Sequence, residues 1–355
     1  MNKAIFLFLF FYQFSLAQES QIWQCFYNAD STLTGFKDGN QNVKIEPKFG
    51  QLSNAYKFDK IMAVSEPTEE LTKYYHLTKS GKKIGIDSLY IFDNGFDCEN
   101  EGFIRFKDNK NDKVGLFDAN GNIAIPADYS AISRVHNGML FTLKDATKIQ
   151  DGIHFFWKDG TQSLIDTKNN VLIENFILSD NINLYSIKIE DNLIEKEEIR
   201  DYFEGKNGKT YSFINYEKEF KFWLETVFKS DLNSEKITYY SFKKISYWDD
   251  DKGWIMTKNN EISADVMTKI IKKLSAINDN SKVYKIFNES LNPSIYETNE
   301  FDLFFNNCYE SLQEKYPVMN VVIDGRKRYK YVQDQFEFLR TENGYKLVGV
   351  SIRSN

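Results

Sequence analysis

Lys113-Val114-Gly115-Leu116-Phe117-Asp118-Ala119-Asn120-Gly121-Asn122-Ile123-Ala124-Ile125-Pro126-Ala127-Asp128-Tyr129 is the stretch that decides the fold. Two short β-favouring runs flank Asn120-Gly121, residue types that accept the positive φ of a tight turn, so a hairpin is predicted. Pro126 lacks an amide donor and is expected to end the second strand. The phrase recurs. Gly35-Phe36-Lys37-Asp38 matches Gly115-Leu116-Phe117-Asp118, and Asn40, Asn42, Val43, Ile45 and Phe49 fall on Asn120, Asn122, Ile123, Ile125 and Tyr129. Leu77-Thr78-Lys79-Ser80-Gly81-Lys82 is a weaker copy, and Ser163-Leu164-Ile165-Asp166-Thr167-Lys168-Asn169-Asn170-Val171-Leu172-Ile173 a fourth, with Asn169-Asn170 in place of the Gly turn. Glu101-Gly102-Phe103-Ile104 likewise parallels Asn137-Gly138-Met139-Leu140. A spacing of about forty residues belongs to stacked supersecondary units. One hairpin cannot bury its apolar face alone, and stacked copies share a core.

These residues resemble the WG-repeat family, whose unit runs aromatic-Gly-aromatic-hydrophobic-Asp, a Gly turn, a hydrophobic pair, a Pro and an aromatic. Residues 113–141 match best, with Asn137-Gly138-Met139-Leu140-Phe141 closing the unit. Val114 stands where the family carries Trp, and no Trp-Gly pair occurs in the chain, so the copies are divergent. The resemblance covers residues 30–180 and implies an envelope or secreted interaction module.

Met1-Asn2-Lys3, the apolar run from Ala4 to Phe14 and Ser15-Leu16-Ala17 read as a secretory signal peptide over 1–17, too short for a membrane span before polar Gln18-Glu19-Ser20-Gln21. The expected address is exported: periplasmic, secreted or cell-surface, with no transmembrane segment after cleavage. Cys25 follows Trp23-Gln24 rather than small residues, which disfavours lipid attachment. Cys25, Cys98 and Cys308 allow at most one bridge; each is expected to be a buried, inert cysteine, and their isolation removes a thiolate zinc site. A net charge of −6 and a pI near 5.4 supply no basic footprint for nucleic acid. The expected partner is a protein or cell-envelope component.

Glu195 to Arg200 is charged, and Gly205-Lys206-Asn207-Gly208 reads as a loop after which the period turns helical. That places a repeat domain over 18–205 and a second domain over 206–355, each expected to fold separately. Tyr216, Phe220, Trp223, Leu224 and Val227 form one helical stripe. Val266, Met267, Ile270, Ile271 and Leu274, after Ser263, form another; Phe301, Phe304, Phe305, Cys308 and Leu312, after Asn299, form a third. Strands follow: Val318 to Ile323, a turn at Asp324-Gly325, Arg328 to Arg340 with a bulge near Gln333-Asp334, and a hairpin at Asn343-Gly344 into Lys346 to Ile352. This order, with Phe336-Glu337-Phe338 paired to Tyr345-Lys346-Leu347-Val348, is similar to the nuclear-transport-factor-like cone fold over residues 210–355. The expected class is α+β: an N-terminal array of antiparallel β-hairpin repeats, then helices packed on a curved antiparallel sheet.

No G-x-S-x-G, Walker loop, H-E-x-x-H or dinucleotide fingerprint occurs. His76, His136 and His154 share no metal spacing; the first two are expected to be half-exposed strand residues. Asp249-Asp250-Asp251 lacks the alternating ligands of a calcium loop and reads as a hairpin tip between Trp248 and Trp254; Asp108 to Asp112 reads as a solvated loop. No catalytic, cofactor-binding or metal-binding residue is therefore assigned, and no cofactor is expected. The leading expectation is a non-enzymatic binding protein using the repeat surface, with a ligand- or partner-binding C-terminal domain. The alternatives are an enzyme with Asp302, Glu337 and Tyr331 around a C-terminal pocket, or a polysaccharide-binding surface bearing rows of Tyr and Trp.

Overall fold

The computed structural model describes residues 22–353 apart from 93, 153, 193–194, 278–283 and 328–329; the leader expected over 1–17 lies outside the described residues. The fold is mostly β, 50% strand against 13% helix, with a series of small antiparallel sheets followed by helices on a six-stranded sheet.

Each repeat is a three-stranded unit rather than a bare hairpin. Copy one is Trp23–Tyr27, Thr34–Lys37 and Val43–Phe49; copy two is Ile61–Pro67, Thr72–Thr78 and Lys83–Ile84; copy three is Ile104–Asp108, Lys113–Phe117 and Ile123–Tyr129. In copy four Thr161–Asp166 pairs with Met139–Lys144 on one side and Val171–Glu174 on the other, and an inserted hairpin joins Thr147–Asp151 to His154–Lys158. Met139 therefore opens copy four instead of closing copy three. Its backbone explains the earlier parallel: Glu101-Gly102 and Asn137-Gly138 all have positive φ, the conformation of a two-residue hairpin turn, and each turn leads into the first strand of a copy.

The turn between the second and third strands is built the same way in copies one, three and four. Asp38, Asp118 and Asp166 each accept the backbone N–H groups two and four residues on, and the Nδ2 of Asn42, Asn122 or Asn170. This carboxylate cage frees one position for the left-handed region, filled by Gln41, Gly121 and Asn169. In copy two Thr78 stands in for the aspartate, with Oγ1 accepting from Lys82 N, and Gly81 takes the positive φ.

A fifth copy exists. Gly205 N–H donates to Lys209 O and Gly208 N–H to Gly205 O, the same two backbone bonds as at Asp118 and Gly121, and Gly208 has φ +77°. The stretch read as a loop is thus the turn joining Arg200–Glu204 to Thr210–Asn215, so strand structure continues to Asn215 and the junction expected at 205/206 falls inside a hairpin. Copy five also differs in topology, because its first strand, Ile182–Glu190, pairs with its third instead of its second.

The glycine of the phrase has a packing reason. A Cβ on Gly35 would lie 2.5 Å from Ile45 O, and one on Gly115 2.7 Å from Ile125 O, where the partner strand bulges towards it. Pro126 sits inside Ile123–Tyr129 at that bulge and does not end the strand, since the irregular register spares it a ladder donor. Four apolar clusters then lie between successive copies: Phe36, Phe49, Met62 and Tyr75 join one to two; Ile61, Phe96, Phe106 and Phe117 two to three; Leu116, Ile125, Leu140 and Ile165 three to four; Leu164, Phe176, Leu184 and Phe213 four to five. Stability along such a stack is a sum of nearest-neighbour contacts.

Asn215 ends the array and caps helix α1 (Tyr216–Trp223), its Oδ1 accepting from Glu217 and Lys218. Helix α2 (Ser234–Tyr240), capped by Asn233, is too short to leave a readable stripe; α3 (Ala264–Ser275) starts at Ser263 as predicted. Sheet order is Gly253–Lys258, Ser241–Asp249, Gly344–Ser351, Lys330–Thr341, Val318–Lys327, Tyr284–Glu289. The sheet is mixed: Ser241–Asp249 and Gly344–Ser351 run parallel, because α3 carries the chain to the far edge and the final meander returns beside the first strand in the same direction. Pairing of Val318–Lys327 with Lys330–Thr341 continues through Asp324 and Gly325 without a break, so no turn stands there and no bulge at Gln333-Asp334; the irregularity lies between Glu337 and Phe338, on the side of Gly344–Ser351. Phe220, Leu224, Ile270 and Leu274 cover one sheet face. The third predicted helix is only a 3-10 turn, Asn299–Phe304, within a segment whose Tyr296, Phe301, Phe304 and Tyr316 cover Val318, Leu339 and Val348 on the other face.

Candidate functional site

That covering segment also faces the repeat array, and the densest polar chemistry of the chain lies at the seam. Cys308 is bonded to Cys98 across a separation of 210 residues, correcting the expectation of inert cysteines; Cys25 is free. Both sulfurs sit in the copy-one/copy-two core, where oxidation removes two thiols and joins the halves. Backbone bonds flank the bridge: Tyr56 N and Lys57 N both donate to Asn307 O, at 2.9 and 3.0 Å.

Beside Cys98, Asp97 is buried and receives Arg105 through Nε at 3.0 Å and Nη2 at 2.6 Å, and Arg134 through Nε at 3.0 Å. Burial alone would raise its carboxyl, but the two guanidinium groups hold it at about 2. Arg134 extends to Glu310 on the covering segment, and Arg105 lies over the Tyr90 ring at 4.2 Å. Glu99, pushed up by burial, accepts from Lys60 N, Gly102 N and Asn307 Nδ2. Around it a cleft of about 500 Å³ opens between the array and the segment, lined by Asp59, Lys60, Glu99, Glu101, Asp118 and Asn306 among others. Where the array meets helix α1 and the edge strand Tyr284–Glu289, a groove of about 590 Å³ is lined by Gln162, Ile177, Leu178, Glu217, Ile286 and Phe287.

The histidines are placed differently from expectation. His76 and His136 are buried, not half-exposed: the stacking of copy two on copy three covers His76, whereas His136 stands just before the Asn137-Gly138 turn among Asn100, Tyr185 and Glu314. His76 stacks edge-on against Phe117 with Nδ1 unpartnered, and burial lowers it to about 4. His136 meets Asn100 Nδ2 at Nδ1 and lies 3.8 Å from Glu314; burial pulls it down against the opposing pull of Glu314 and Glu101. His154 is exposed on the inserted hairpin.

Acidic clusters serve their own turns: Asp249 caps Asp251 and Lys252 at a hairpin tip between Trp248 and Trp254, and Asp108 accepts from Lys110 and Asn111. Among the described residues no group of three or more His, Cys, Asp or Glu could hold a metal ion. The three groups considered for an enzyme do not meet: Asp302 pairs with Lys57 at 3.0 Å, Glu337 accepts from the Tyr296 hydroxyl at 3.1 Å, and Tyr331 is 78% exposed beside Gln333 and Arg353. Sequence reading missed Asp97, Arg105, Arg134 and Glu310; one weak sign was the acidic pair bracketing Cys98. No protein-family model, curated protein or solved structure matches the chain.

Proposed function

We propose that this chain is an exported, non-enzymatic interaction protein whose WG-like repeat surface recognises a protein or cell-envelope component, with the C-terminal half as a ligand- or partner-binding domain. The observation carrying this reading is the recurrence of one turn and one type of copy-to-copy core, while outward side chains differ and leave large apolar groups in water. Ile86 (70%), Phe92 (73%) and Ile123 (61%) are the most exposed of these in copies two and three. Exposed apolar groups favour association where they adjoin one another in a patch. The Cys98–Cys308 bridge is what passage through an oxidising compartment would produce. Among the described residues no helix is long and apolar enough to cross a membrane.

The test is cross-linked capture from envelope extracts by the full mature chain and by a Phe92→Asp/Ile123→Asp variant with unchanged melting. A defined set of proteins retained by the native chain and lost by the variant is expected. Identical capture by both, or the native protein remaining in the cytoplasmic fraction with residues 1–17 intact, would overturn the reading.

A further inference from the structure

Four neighbouring strands of the C-terminal sheet set Phe287 opposite Asn320, Asn320 opposite Glu337 and Glu337 opposite Gly349, so the four residues form one row on one face. Gly349 is the reason the carboxylate can lie across its neighbour: a Cβ there would stand 2.1 Å from Glu337 Oε2 and 3.0 Å from the Tyr296 hydroxyl. The Tyr296 hydroxyl lies 3.1 Å from both Glu337 Oε2 and Val348 O, so its one hydrogen is shared between them and its position keeps that carboxylate oxygen in place. Asn320, 2% exposed, spends its Nδ2 on Glu289 Oε2 at 3.1 Å, and among the described residues its buried Oδ1 has no donor. Leaving such an acceptor unmade is costly, and native structures rarely do so.

Glu289, two residues on from Phe287 and opposite Val318, adds a second carboxylate beside the row. Among the described residues no lysine or arginine forms an ion pair with Glu289 or Glu337. Burial pushes the Glu337 carboxyl above its usual range; Tyr296 opposes this and Glu289 adds to it. A cation that brings its own N–H groups would meet these acceptors.

We propose that Asn320, Glu337 and Glu289 bind a primary alkylammonium group, its three N–H donors directed at Asn320 Oδ1, Glu337 Oε1 and the Glu289 carboxylate. A primary ammonium carries three donors and no acceptor, which matches three unsatisfied or anionic acceptors. Phe287, 45% exposed at the end of the row, receives the alkyl chain. A free amine and the side chain of a lysine share this chemistry. The inference rests on the C-terminal half being a ligand-binding half and is independent of the repeat surface.

Calorimetric titration of the full, oxidised chain with n-butylammonium tests it, with tetramethylammonium as a cation without N–H donors and Nα-acetyl-lysine amide as a model side chain. Saturable butylammonium binding is expected, at least tenfold tighter than tetramethylammonium. Glu337→Gln, which preserves the Tyr296 contact, and Asn320→Leu, which removes the orphan acceptor, should each weaken it at least tenfold while melting as cooperatively as the native chain. If the lysine amide binds as tightly as butylammonium the natural ligand is a lysine; if it binds tenfold more weakly the ligand is a free amine; both support the assignment. Absence of saturable binding, equal affinity for tetramethylammonium, or native affinity in Glu337→Gln overturns it. Such a failure, with envelope capture by the repeat surface retained, would leave the proposed function standing.

Discussion

Replacing Cys308 with Ser should cost most of the stability that couples the two halves. The bridge spans a separation of 210 residues, and closing a loop of that size removes about 5 kcal/mol of unfolded-state entropy at 25 °C. Bridges generally deliver less, so the expected loss is about 3–5 kcal/mol. The native state should keep its shape, since the Tyr56 and Lys57 bonds to Asn307, the Lys57–Asp302 pair and the Arg134–Glu310 pair remain. The deficit should therefore appear in unfolding rather than in the native spectrum. Urea unfolding of the oxidised native chain, Cys308→Ser and Cys98→Ser/Cys308→Ser, followed by tryptophan fluorescence and near-ultraviolet dichroism, measures it. Cys25→Ser, at the free cysteine, is the control and should change little. A loss below about 1 kcal/mol in both bridge variants would refute the reasoning, because the loop-entropy term would then be absent.

Three further outcomes are expected. Gly121→Val should destabilise the array more than Gly81→Val: both glycines have positive φ, worth about 1–3 kcal/mol against a β-branched residue, but a Cβ at 121 also meets Ile84 at 2.9 Å whereas one at 81 meets nothing within 4 Å; equal melting shifts would contradict this. His76, lowered to about 4, must stay neutral in the fold, so its contribution is complete above the unfolded value near 6.5 and is lost as pH falls from there towards 4, about 3 kcal/mol in all. His76→Phe should flatten that part of the stability profile, and parallel profiles would rule the account out. Asp97→Asn should cost about 3–5 kcal/mol by leaving Arg105 and Arg134 short of their buried counter-charge, and a chemical-denaturation shift under about 1 kcal/mol would show the charges to be solvated.

Local chemistry made much of this protein legible from its residues. Asn120-Gly121, Asp118 and the spacing back to Asp38 specify a turn by side chains that bond to their own backbone, so no distant partner is needed to predict it. The stripes of α1 and α3 and the cap at Ser263 are likewise written within a few residues. Gly205 to Gly208 shows where such reading stops: a flexible linker and a tight hairpin turn ask for the same residue types, and only the pairing of Arg200–Glu204 with Thr210–Asn215 distinguishes them. The stripe of Phe301, Phe304, Phe305, Cys308 and Leu312 has helical spacing, yet only Asn299–Phe304 coils, as a 3-10 turn, because the phenylalanines pack on the sheet while Cys308 enters the repeat core. The choice of Cys98 as the partner of Cys308, the meeting of Asp97 with Arg134, the burial of His76 and the alignment of Asn320 with Glu337 all join residues far apart in the chain. Contacts of that kind depend on how separately specified units pack, and the tertiary structure alone decides them, because no residue carries information about which distant neighbour will exclude its water.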